Sequence, residues 1–203
     1  MKTPDKLILT CLSALLFASG CAGLQVSQDV LSGRNALQTG KPEAAVGYLR
    51  RAVDADPNYT LPNRLEESSL ALLGRAYYEI GNFPEARTSL ERAIARDQND
   101  HMARLYLGLT LIKAGDQERG RHEVESGLKG INEWLEYVSS RGYSGQFWDP
   151  ARDIRSDIQR GLASTVSTPD LIVIAQRVGV KFDEEPERAL RDELRDRSSS
   201  NNT

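Results

Sequence analysis

Small residues recur in this chain at a fixed interval, inside stretches where a helix would ordinarily carry larger side chains. In residues 73–93, LGRAYYEIGNFPEARTSLERA, Gly74, Gly81, Ala86 and Ala93 stand among Leu73, Tyr77, Ile80, Phe83 and Leu90. Thirty-four positions later, residues 105–128, LYLGLTLIKAGDQERGRHEVESGL, place Gly108, Gly115, Gly120 and Gly127 in the same register. An earlier copy supplies Gly33, Gly40, Ala45 and Ala52, with Pro57 beyond them. Gly33 lies 41 positions before Gly74, so a seven-residue excess falls in YTLPNRLEESS, residues 59–69, either as an early helical extension opened by Pro62 or as a surface loop. A helix pared to Gly or Ala at one face admits a neighbouring backbone. A unit with one apolar stripe buries it only by stacking on its copies.

This pattern resembles the tetratricopeptide repeat family, whose unit is a pair of antiparallel helices of about 34 residues. The small residue of the family's first helix falls on Gly33, Gly74 and Gly108, and its turn glycine on Gly40, Gly81 and Gly115. The small positions of the second helix fall on Ala45 and Ala52, Ala86 and Ala93, and Gly120 and Gly127. Ser32 departs from the pattern, standing where Leu73 and Leu107 stand. The resemblance implies an all-α, right-handed solenoid of about three helix pairs over residues 26–140, with repeats near 26–58, 67–100 and 101–134. First-helix residues facing its groove would be Val30, Arg34 and Leu37, then Ala71, Arg75 and Tyr78, then Leu105, Leu109 and Ile112. Arg34 and Arg75 match in position, but not in type, the Lys and Asn with which chaperone adaptors of the family clamp a carboxylate, and the plain reading is two solvated arginines at the groove mouth.

The N-terminus has a different character. Lys2 and Lys6 precede an apolar run, LILTCLSALLF, residues 7–17, too short to span a bilayer and suited to a signal peptide core. Ala18-Ser19-Gly20-Cys21 follows and resembles the lipobox of bacterial lipoproteins, with Ala18 where that family more often has Leu. The resemblance implies a signal peptide over 1–20, acyl chains on Cys21 and its new amino group, and a tether over 21–25. Each buried methylene adds about 0.8 kcal/mol, so two or more chains anchor stably. Ala22, rather than Asp, implies the periplasmic face of the outer membrane. The alternative is an ordinary secretory signal followed by a free thiol. Cys11, the only other cysteine, lies within the apolar run.

Beyond Leu128 the pattern continues through Ile131, Trp134, Leu135 and Val138, extending the last repeat helix to about Ser140. GYSGQFW reads as a loop, Asp149-Pro150 as the start of a helix with Ile154, Ile158 and Leu162 on one face, and Thr168-Pro169 as the start of another closed by Gly179. Leu171 to Ile174 offer a cover for the wall formed by Leu105, Leu109 and Ile112, so residues 141–197 are expected to cap the array. A thin final helix pairs Glu184 with Arg188 and Glu187 with Arg191. The tail, 198–203, is expected to be disordered.

Charge and residue inventory narrow the function. A formal charge of -3 shows no basic excess for nucleic acid. Two histidines, His101 and His122, leave a zinc site short of its usual ligands. Gln146 breaks the G-x-S-x-G pattern at 142–146, and Asp149, Asp153 and Asp157 read as a solvated carboxylate stripe beside Arg152 and Arg155. The expectation is a membrane-anchored periplasmic scaffold or assembly factor that binds a protein or peptide, without cofactor, metal or small-molecule substrate. An accessory subunit or cryptic hydrolase using residues 143–157 is the alternative.

Overall fold

The computed structural model describes residues 23–200. The expected signal peptide, Cys21 and Ala22 lie outside the described residues. Among the described residues there is no strand, and the chain is an all-α solenoid. Helix α1 covers residues 23–38. It is followed by α2 (Pro42–Ala55), α3 (Ser69–Glu79), α4 (Phe83–Arg96), α5 (His101–Lys113), α6 (Gln117–Ser139), α7 (Gly142–Gly145), α8 (Asp153–Gly161) and α9 (Thr168–Ser200).

Local chemistry explains the boundaries of the pairs. Gly40, Gly81 and Gly115 adopt φ of 68°, 79° and 98°, a left-handed turn in which a Cβ is strained. Pro at the first turn opens α2 and α4, where an unpaired N–H would otherwise remain. Ser68 caps α3 by accepting from Ala71 N at 3.1 Å, and Asp100 caps α5 by accepting from Ala103 N at 2.8 Å. Ser68 also donates to Asp100 at 3.1 Å, tying the two helix starts together.

The small positions sit at close approaches of two kinds. A Cβ at Gly74 would lie 2.4 Å from the Leu90 side chain, whereas one at Gly108 would lie 2.4 Å from the backbone N of Val124. The third pair therefore packs backbone to backbone, with Gly120 and Gly127 in α6 facing α5 in the same way. Ala45, Ala52, Ala86 and Ala93 are buried at the corresponding positions of the first two pairs.

Of the two readings of the excess, the structure shows the loop: residues 59–68 are closed by an isolated bridge between Thr60 and Ser68 and by Leu61 N donating to Glu67 O at 2.9 Å, and Ser69 already begins α3. Several other local expectations are corrected. GYSGQFW contains the helical turn α7. The helix expected from Asp149-Pro150 begins at Asp153, because Asp149, at φ 43°, turns back and its carboxylate accepts from Ile154 N and Arg155 N. Gly179 does not end a helix. α9 runs unbroken for 33 residues, through Gly179 and Pro186 and on through 198–200, which were expected in a disordered tail; 201–203 lie outside the described residues. Gly179 is retained inside it because the Tyr106 hydroxyl occupies the space of a Cβ, 2.9 Å away.

Candidate functional site

The inner ends of α1, α3 and α5 face the chain's own C-terminal helix. Val30, Leu37, Ala71, Tyr78, Leu105, Leu109 and Ile112 are all buried. Tyr78 accepts from Gln176 of α9 at 2.8 Å and meets Tyr106 edge-on with ring centroids 5.6 Å apart. Ile112 instead packs on Gly120 within its own helix pair. Leu171, Ala175, Val178 and Phe182 are the buried stripe of α9, while Val173, expected in the cover, points to solvent.

Arg34 and Arg75 depart furthest from expectation. They are 8% and 5% exposed, not solvated at a groove mouth. Arg34 donates to the Asp183 carbonyl at 2.7 Å and to Glu187 at 2.5 Å, and its Nε lies 2.9 Å from Glu67. Arg75 donates to Glu79 at 2.8 Å and its Nη1 lies 3.0 Å from Asp183 Oδ2. Asp183, 1% exposed in its side chain, thus sits between two guanidiniums contributed by helices about 40 residues apart in sequence, one from each of the first two repeats. Burial of such charges costs several kcal/mol per ion, and only mutual pairing offsets it. Glu187 serves Arg34 rather than the expected Arg191, and Arg188 pairs with Glu185 and Asp192 rather than Glu184.

Glu67 reaches this cluster from the loop, held by Asn63 Nδ2 donating to it at 2.9 Å. Burial first, and then the Asp183 carboxylate, push the Glu67 carboxyl up to about 7. Carboxylates outnumber guanidiniums here, with Glu67, Asp183, Glu79 and Glu187 around Arg34 and Arg75.

Beside the cluster, α9 leaves a recess of about 290 Å³ on the array. Its lining includes the buried Arg75, Tyr106 and Phe182, the half-buried Trp134 and Asp100, and the exposed Glu66 and Asp97. Trp134 meets Phe182 edge-on at 5.3 Å and Trp148 at 5.0 Å. Arg64 lies over the Trp148 ring at 5.8 Å. Burial raises the Asp100 carboxyl and lowers the His101 imidazole, so His101 is neutral near pH 7. Sequence reasoning missed this recess because its residues come from the loop, α3, α5, α6 and α9, and no local pattern links them. The seven-residue excess was its one local sign.

The 143–157 region is structural in its contacts. Ser144 donates to Glu193 at 2.8 Å, and Tyr143 to Asp196. Asp149 and Asp157 are buried rather than solvated, at 4% and 1% exposure. Asp149 accepts from Arg155 Nε at 2.9 Å, and its own N–H donates to Glu185. Burial opposes the Asp157 charge, but Lys181 at 2.8 Å, with Arg160 and Arg177, holds its carboxyl below the usual range. Among the described residues no group of three His, Cys, Asp or Glu is placed to hold a metal, and no helix is long and apolar enough to cross a membrane.

A stacked array of helix pairs, with small residues at each crossing, defines a helical-repeat interaction protein. Residues 30–59 and 72–131 each match the family described as Tetratricopeptide repeat, and the chain is a tetratricopeptide repeat protein. No curated protein and no solved structure is matched by the chain.

Proposed function

We propose that this chain is a protein-binding scaffold of the bacterial envelope, tethered to the periplasmic face of the outer membrane by lipid on Cys21. Its partner engages the recess that α9 leaves open. The repeats themselves make it a protein–protein interaction module. The recess carries the finer reading, because the exposed Glu66 and Asp97 and the half-buried Trp134 line it while the neighbouring groove is filled by α9. The tether rests on the lipobox-like Ala18-Ser19-Gly20-Cys21 after a short apolar run.

Two experiments test these parts separately. Cells fed a labelled fatty acid should incorporate it into the wild-type chain, and a Cys21→Ala variant that still takes up label refutes the anchor. A photo-crosslinking amino acid at Met102, a half-buried recess residue, should capture a discrete protein in cells; the same group at exposed Arg87 should not. Equal capture from both positions refutes the recess as the contact.

A further inference from the structure

We infer that the recess between the 59–69 loop, α5, α6 and α9 takes a basic side chain, arginine or lysine, presented by the partner protein. This deepens the scaffold reading and rests on it. Three observations converge on a cation. The lining carries four carboxylates, Glu66, Glu67, Asp97 and Asp100, against two guanidiniums, Arg64 and Arg75; Glu67 is paired with Arg34 and Asp100 caps α5, which leaves the exposed Glu66 and Asp97 to face a ligand. Both guanidiniums are engaged: Arg75 by Glu79 and Asp183, Arg64 by the face of Trp148. Of the aromatic wall, Tyr106 and Phe182 are buried and Arg75 already lies over the Tyr106 ring, while the half-buried Trp134 offers a surface that accepts the stem and charge of Arg or Lys.

The buried cluster behind the wall is short of positive charge as well. Four carboxylates surround Arg34 and Arg75, and burial first, then the Asp183 carboxylate, push the Glu67 carboxyl up. A cation seated at the recess supplies what the cluster lacks. The rim adds specificity: Glu66 is exposed, and Asp97 is exposed at the end of α4, so both meet a partner before the deeper Glu67 does.

The test is a titration of the full chain in detergent with the peptide Gly-Ser-Gly-Arg-Gly-Ser-Gly, read at the two tryptophan indole N–H signals by NMR. Its isosteres with citrulline and with glutamate at the central position are titrated in parallel. The arginine peptide should shift the Trp134 signal and bind at least tenfold more tightly than the citrulline peptide, with glutamate weaker still. The double variant Glu66→Gln/Asp97→Asn, in exposed positions that do not hold the core, should weaken arginine binding severalfold and leave the thermal melt unchanged. Equal binding of arginine and citrulline peptides, preference for glutamate, or indifference to the rim variant overturns the inference. If crosslinking at Met102 captures a partner whose binding ignores the rim variant, the basic-side-chain inference fails and the scaffold reading survives. If the arginine peptide binds as expected but no protein is captured in cells, the scaffold reading is the one that fails.

Discussion

The first two repeats and the third make the same crossing with different atoms. In α1–α4, a glycine faces a buried leucine side chain, nearest at its Cγ, Gly33 against Leu49 and Gly74 against Leu90, and that side chain stands between the backbones. In α5 and α6, Gly108 faces backbone, and Gly120 and Gly127 return the contact. The third pair is thus the tighter one, and it is the pair that carries Tyr106 and Trp134 at the recess. One repeat pattern accommodates both, because it specifies only that a residue be small, not what fills the space it leaves.

The largest effect is expected where all the repeats meet α9. Asp183→Ala leaves Arg34 and Arg75 buried with partial pairing, and should cost about 3 kcal/mol in urea denaturation. A cost under about 1 kcal/mol would mean that the array holds α9 by apolar contact alone. Gly108→Ala should cost about 2 kcal/mol, because a backbone cannot yield as a side chain does. Gly74→Ala should cost less, about 1 kcal/mol, because the buried Leu90 side chain must move but alanine gains helix propensity. Equal costs would erase the distinction between the pairs. Asp149→Ala removes the acceptor for two α8 N–H groups and for Arg155, at about 2 kcal/mol; Asp149→Asn, which keeps an acceptor and tolerates the positive φ, should cost less.

A subtler effect is a slope with pH. Glu67 binds its proton more tightly folded, at about 7, than at its ordinary 4.5. Its contribution is therefore fully present below about 4.5, falls as pH rises through that window to about 7, and is flat above it. Glu67→Gln should flatten the decline of the melting temperature between pH 5 and 7. An unchanged slope would place the titrating group elsewhere. The exposed Arg87–Glu91 pair, 2.9 Å apart in α4, should matter least: Arg87→Ala is expected to cost under about 0.5 kcal/mol.

Much of the architecture was legible in the order of residues. The spacing of Gly33, Gly74 and Gly108, with the turn glycines seven positions on, specifies helix pairs and their stacking, since helical periodicity is local and repeats itself. The single α9 was not legible. Gly179 reads as a helix end in isolation, yet packing against Tyr106 and the array carries one helix through it and on past Pro186.

The site was the least legible part, and Arg34 and Arg75 show why. Their positions on the inner helices follow from the repeat, but their burial depends on Asp183, 149 residues beyond Arg34. The sequence alone determined that small residues would let paired helices nest. Only the tertiary structure decided what would lie inside the bend, because which charges share a desolvated space depends on contacts between segments that no local period connects.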